Sequence, residues 1–142
     1  MSKDVSIKLE NIQDFIEDKE SEKVDKLYQG EFYVKNEKIY LSYEEEAEGL
    51  DGARTIIKIN PERERVLLMR QSPAAMRQNF VIGEKQDGYF KTPYGEIKIS
   101  IKTQKLKIDI GDDTGIIKID YQVFLGGSLN AEHRLKLNYK IL

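Results

Sequence analysis

A chain of 142 residues, 39% apolar and 34% charged, is long enough to fill one core and short of two. It has no cysteine and one histidine, which excludes disulfides, thiolate metal sites, cysteine nucleophiles and histidine-rich metal centres. The net charge of −2 is mildly skewed, with 14 Lys/Arg against 19 Asp/Glu in residues 1–90 and nine against six in residues 91–142; this is far from the basic footprint of a dedicated nucleic-acid binder.

The opening Met-Ser-Lys-Asp-Val-Ser-Ile-Lys has no apolar run, and no later stretch approaches a membrane span. Neither a secretory leader nor a membrane association is expected, and the cytoplasm is the expected compartment. Val5, Ile7 and Leu9 alternate with Ser6, Lys8 and Glu10, the two-residue period of a strand with one dry and one wet face. Asp14 to Lys23 is acidic and reads as a turn. Lys26–Lys35 is a second strand, with Tyr28, Gly30, Phe32 and Val34 on one face; a glycine inside a strand marks a bend or a close backbone approach. Asn36-Glu37 turns the chain into Lys38–Glu45, where Ile39, Leu41 and Tyr43 share a face.

Glu46–Ala53 reads as a loop. Arg54–Ile59 and Arg65–Arg70 are strands joined by Asn60-Pro61-Glu62-Arg63, with Pro61 suited to the second position of a type I turn. Ser72-Pro73-Ala74-Ala75 interrupts, Arg77–Ile82 is a strand, and Gly83–Gln86 turns. Gly88–Thr92 then pairs through Pro93-Tyr94 with the long stretch that follows. There Ile97, Ile99 and Ile101 hold the odd positions, whereas Leu106, Ile108 and Ile110 hold the even ones. Without a local irregularity this change of parity would turn the core face to solvent, so it predicts a bulge, a bend or a tight turn near Thr103–Lys105.

Asp112-Asp113-Thr114-Gly115 leads into Ile116–Leu125, and Gly126-Gly127-Ser128 precedes the last strand, where Leu135, Leu137, Tyr139 and Ile141 alternate with polar residues. No segment carries the period of an amphipathic helix. Roughly ten short strands at hairpin spacing predict an all-β protein. Closure removes the exposed edges of such a meander, so the expected architecture is a single antiparallel up-and-down β-barrel of about 8–10 strands over residues 1–142.

Several stretches, taken in order, resemble the YwiB-like bacterial family of unknown function. They are Tyr40-Leu41-Ser42-Tyr43-Glu44-Glu45, the strand ending in Arg70, Phe80-Val81-Ile82-Gly83, and Tyr89 followed by Thr92-Pro93-Tyr94-Gly95. The strand around Tyr121 and the final Leu135–Ile141 strand also fit, so the resemblance spans nearly the whole chain. Where the family pattern often carries a glycine two positions after the arginine, this chain has Ser72. The resemblance implies a calycin-type barrel, of the shape shared by lipocalins and fatty-acid-binding proteins. It brings no reaction, cofactor or catalytic residue with it.

Enzymatic signatures are sparse: there is no nucleophile elbow, phosphate loop or dinucleotide glycine pattern, and no catalytic residue, metal ligand or cofactor is assigned. His133 shares parity with Leu135, Leu137 and Tyr139, so it reads as an interior acid/base or, more blandly, as a polar cap. The acidic runs Glu44-Glu45-Glu46 and Asp112-Asp113 fall at strand ends, where turn formation accounts for them without a cation. Lys98, Lys102, Lys118, Lys136 and Lys140 share the outer face of the C-terminal strands, but Tyr121 and Tyr139 lie on the opposite face. Bases would have nothing to stack on there, so these lysines read as solvated and nucleic acid is not an expected partner.

Arg70 is the residue of most interest. Its strand is apolar on both faces, with Val66 and Leu68 sharing its parity, so Arg70 reads equally as an exposed strand-end residue or as an inward one. An inward guanidinium needs an acidic partner, a carbonyl cluster or an anionic ligand. Tyr43, Tyr89 and Tyr121 are the tyrosines expected near it, with Ile97, Ile99 and Ile101 lining a path for an apolar tail. The expected function is non-enzymatic binding of a small anionic or amphipathic ligand by Arg70, Tyr43, Tyr89, Tyr121 and His133. The alternatives are an assembly module using its outer surface and, behind it, an enzyme using carboxylate or tyrosine acid/base chemistry. A lumen packed solid would count against the carrier.

Overall fold

The computed structural model describes residues 2–46 and 52–142. The strands are β1 (Lys3–Phe15), β2 (Ser21–Lys35), β3 (Lys38–Glu44), β4 (Arg54–Asn60), β5 (Arg65–Arg70), β6 (Met76–Val81), β7 (Lys85–Thr92), β8 (Gly95–Ile110), β9 (Thr114–Leu125) and β10 (Ser128–Ile141). Each pairs antiparallel with its neighbour in sequence, and β1 pairs with both β2 and β10, which closes the ring. Val5, for example, sits between Ile141 of β10 and Gly30 of β2. The all-β class and the ten-stranded antiparallel barrel are therefore as the alternation predicts. No helix of the described chain is long and apolar enough to cross a membrane.

One long segment differs from the sequence reading. Asp14–Lys23 is not a long turn: β1 runs to Phe15 and β2 starts at Ser21. Its polar residues suit an arm whose backbone groups are paired with the neighbouring strands, as in Asp14 with Ser21 and Asp14 with Glu132. The predicted loop Glu46–Ala53 lies largely on residues 47–51, outside the described residues.

The parity change resolves as a bulge. β8 is unbroken from Gly95 to Ile110, and its register against β9 slips by one residue between Thr103 and Lys105. Ile99 and Ile101 before the slip are buried, and Leu106, Ile108 and Ile110 after it pack against the same core. The β6–β7 seam is the shortest, with only Met76–Phe90 and Arg77–Tyr89 paired; below it Ile82 and Gly83 reach β8 directly at Thr103.

The lumen is filled unevenly. At the end of the β2–β3 and β4–β5 turns it is packed with Val5, Ile7, Leu41, Ile57, Ile59, Val66, Phe80, Ile101 and Ile119, all buried. At the other end, where the β1–β2, β3–β4 and β5–β6 connections lie, polar side chains replace the aliphatic ones. Gly30 sets how closely β3 approaches there. A Cβ on it would collide with the Ser42 carbonyl oxygen and crowd the Tyr43 Cβ at 3.1 Å, so the close backbone approach that a strand glycine implies is real. Gly30→Ala is expected to lower unfolding stability by about 1–3 kcal/mol, the usual penalty for overpacking. The reading is the urea midpoint at constant slope, and an unchanged midpoint would mean that β2 and β3 can part at no cost.

Candidate functional site

The polar end of the lumen holds a cavity of about 320 Å³. Its floor is apolar, from Leu9, Leu68 and Leu135, and its wall carries Arg70, Tyr43, Tyr121 and His133 together with Tyr28, Glu45 and Thr55. Alternation along each strand delivers them: Arg70 follows Val66 and Leu68 inward, and Tyr43 follows Ile39 and Leu41.

One side of the cavity is a hydrogen-bonded acid. Glu45 accepts from the Tyr28 hydroxyl at 3.0 Å and from Thr55 Oγ1 at 2.7 Å, so each carboxylate oxygen is held by one donor. The Tyr28 and Tyr43 rings stack with centroids 4.1 Å apart. Burial first, and the Glu45 charge second, push both phenols well above the ordinary tyrosine range, while Arg70 pulls the other way. Both remain protonated donors. Arg70 itself is half-buried, and its Nε donates to the Ala74 carbonyl at 2.6 Å, which ties it to the connection between β5 and β6. Among the described residues no carboxylate lies within 4.0 Å of its guanidinium. A guanidinium has five N–H groups, so most of its donor capacity is left for the cavity.

The other side is an aromatic pair. His133 stacks on Tyr121 at 4.6 Å and 11°, and Phe80 meets the same tyrosine edge-on at 4.7 Å. The Asn11 side-chain amide lies within hydrogen-bond reach of the ring, 3.4 Å from His133 Nδ1. Burial holds the imidazole pKa down to about 4, so the ring is uncharged at neutral pH, and burial raises the Tyr121 phenol. The buried Asn11 Oδ1 has no hydrogen-bond partner.

Four of the five residues singled out from the sequence, Arg70, Tyr43, Tyr121 and His133, thus share one cavity. Tyr89 does not join them. Its register opposite Lys98 and Arg77 places it on the outer face, while its neighbours Gly88 and Phe90 stand opposite Ile99 and Ile97. The isoleucine path is also corrected: Ile99 and Ile101 are packed in the core and Ile97 is 37% exposed, so none of the three lines the cavity. Glu45, Thr55, Tyr28 and Asn11 were missed. Parity would have found them, since Glu45 continues Ile39–Leu41–Tyr43, Thr55 precedes Ile57–Ile59, and Asn11 continues Val5–Ile7–Leu9. Among the described residues no three His, Asp or Glu side chains converge as a metal site.

Burial of neutral His133 makes stability depend on pH. Its folded-state pKa of about 4 lies below the ordinary 6.5, so the unfolded chain binds the proton more tightly and protonation favours unfolding. The contribution is complete above pH 6.5 and is lost as pH falls towards 4. Between pH 7 and pH 5 the wild type should lose about 2 kcal/mol more stability than His133→Gln. Parallel losses in chemical denaturation of the two proteins would show that His133 is solvated.

The sequence matches the family described as Domain of unknown function (DUF1934) over residues 7–137. It is 32% identical over 111 residues to the uncharacterized beta-barrel protein YwiB of Bacillus subtilis (strain 168), covering 78% of this chain and 76% of that protein. The fold superimposes on the crystal structure of the ywiB protein from Bacillus subtilis with a TM-score of 0.85 at 27% identity, covering 99% of this chain and 93% of that one. With the family matched over nearly the whole barrel, the chain belongs to the DUF1934 family of uncharacterised β-barrel proteins.

Proposed function

We propose that this protein is a non-enzymatic, cytoplasmic binder of a small anionic or amphipathic molecule, held in the open end of the barrel. The observation that carries the reading is Arg70. Its guanidinium faces a cavity of about 320 Å³ and, among the described residues, has no carboxylate within 4.0 Å. A half-buried cation without an acidic partner is costly unless something fills its remaining hydrogen bonds. An anionic head group does this with charge-assisted bonds.

The walls narrow the ligand further. Glu45 stands in the same cavity with both oxygens already accepting one bond, so the head group needs a hydroxyl or amine on that side in addition to its anionic end. Leu9, Leu68 and Leu135 provide the surface for an apolar body. The volume lies at the low end of the ~300–1,000 Å³ typical of ligand pockets. With Ile99 and Ile101 packed in the core, a long acyl chain has no route, and the apolar part is short.

The test is a thermal-shift comparison of wild type and Arg70→Met with small aliphatic and aromatic hydroxy acids and amino acids. A bound anion should raise the wild-type melting temperature. Its affinity should fall by about 1.5–3 kcal/mol in the variant, the size of a hydrogen bond to a charged group. If no anion stabilises the wild type and Arg70→Met fails to fold, Arg70 serves the β5–β6 connection through Ala74 and the carrier reading is lost.

A further inference from the structure

The outer surface of β3–β6 carries a second concavity, of about 500 Å³, on the opposite side of the wall from the lumen. Lys38, Lys58, Arg63, Arg65 and Arg77 line it against only two carboxylates, Glu37 and Glu62, a net of +3 on a chain whose total is −2. Among the described residues none of these five cations has a carboxylate within 4.0 Å. Three amides, Asn36, Asn60 and Asn79, stand among them. Unneutralised cations at such density hold a counter-ion layer, and a polyanion that displaces it gains the entropy of release.

A second observation adjoins the first. Tyr33 stands opposite Tyr40, Tyr40 opposite Lys58, Lys58 opposite Leu67 and Leu67 opposite Asn79, one straight row across five strands. Four strand spacings make the row about 19 Å long. Tyr33 and Tyr40 stack at 4.8 Å with their planes 3° apart, both half-exposed, and Lys58 Nζ lies 5.9 Å from the Tyr40 ring centre. Lys58 therefore belongs both to the aromatic step and to the basic groove. The five cations are spread from residue 38 to residue 77, which is why the sequence shows no basic run; only strand pairing assembles them.

We propose that this face binds single-stranded nucleic acid, with phosphates along Lys58, Arg63, Arg65 and Arg77 and a base stacked beside the Tyr33–Tyr40 step. Cations alone would take any polyanion. The aromatic step is what selects a strand with unstacked bases, because aromatic stacking accepts any base and a duplex keeps its bases covered. The site shares no residue with the lumen, so it stands or falls apart from the ligand reading.

The test uses fluorescence anisotropy of a labelled 15-nucleotide single-stranded RNA of mixed sequence, with the full chain at 50 and 200 mM salt. Neutralising about four phosphates implies an affinity loss of about 50-fold between those salts. The triple variant Lys58→Gln/Arg65→Gln/Arg77→Gln should bind at least tenfold more weakly. Tyr40→Leu should weaken binding about fivefold or more while leaving the salt dependence unchanged, as loss of one stacked base predicts. All three substituted cations and Tyr40 lie on the outer face, so thermal melts should stay near wild type; if Tyr40→Leu melts early, Tyr33→Leu replaces it. The proposal is overturned by no binding at 50 mM salt, by binding that survives the triple variant, or by inorganic polyphosphate competing as well as RNA with neither tyrosine mattering.

Discussion

In a closed barrel, every residue faces either the lumen or the solvent, and a strand cannot change its mind without an extra residue. The bulge between Thr103 and Lys105 is that extra residue in the longest strand. Ahead of it Ile99 and Ile101 face inward; behind it Leu106, Ile108 and Ile110 do. Without the slip, one half of β8 would present isoleucines to water and lysines to the core. The slip also sits where β6 leaves β7 and touches β8, so it marks the place where the ring is drawn in. One buried polar atom, Thr103 Oγ1, is left without a partner there, a local cost of the irregularity.

Closure by β1 determines what is left for the two ends. Because β1 pairs with both β2 and β10, the ring holds from Val5 near one end to Phe15 near the other, and the polar ends of β1 and β2 stay in sheet geometry up to the turn at residues 16–20. Aliphatic side chains run out before the strands do. Past Leu9, Leu68 and Leu135 the inward positions become Asn11, Arg70 and His133. The cavity is therefore the part of a continuous wall where the sequence stops supplying aliphatic residues. Gly30 contributes by its missing Cβ, which lets β3 close in beside the stacked rings of Tyr28 and Tyr43.

Alternation made much of this legible. It was enough to orient Tyr43, Tyr121 and His133, because each lies on an unbroken run of buried neighbours, whereas the strand of Arg70 is apolar on both faces and its pattern allows either orientation. It failed at Tyr89, where β7 contains a glycine, is held to β6 by two pairs and carries no alternating apolar run, although Lys85, Asp87 and Lys91 share the outward parity of Tyr89. Glu45 was hidden for a different reason. An acidic run reads as solvent-facing, yet strand geometry sends every second member inward, where Tyr28 and Thr55 hold the charge. The missing partner of the Asn11 amide oxygen and the depressed His133 pKa depend on distances across the lumen, which no one-dimensional pattern carries.

The same rule assigns chemically identical side chains to opposite tasks. On β5, Arg65 and Arg70 are five positions apart, an odd interval, so they leave the strand on opposite faces. Arg70 enters the lumen with Val66 and Leu68, while Arg65 joins Lys58 and Arg77 outside with Leu67 between their strands. On β3 the split is between Tyr43, stacked inside on Tyr28, and Tyr40, stacked outside on Tyr33. A wall about one residue thick thus carries an arginine–tyrosine surface on each side. The inner one is small, half-buried and shares its cavity with Glu45, which is held by Tyr28 and Thr55; the outer one is open and carries a net positive charge. Low dielectric strengthens individual contacts on the inner side, whereas counter-ion release and long-range attraction govern the outer side. A one-residue slip in β5 would exchange the two arginines and abolish both surfaces, so the register that buries Val66 and Leu68 also fixes where each charge can act.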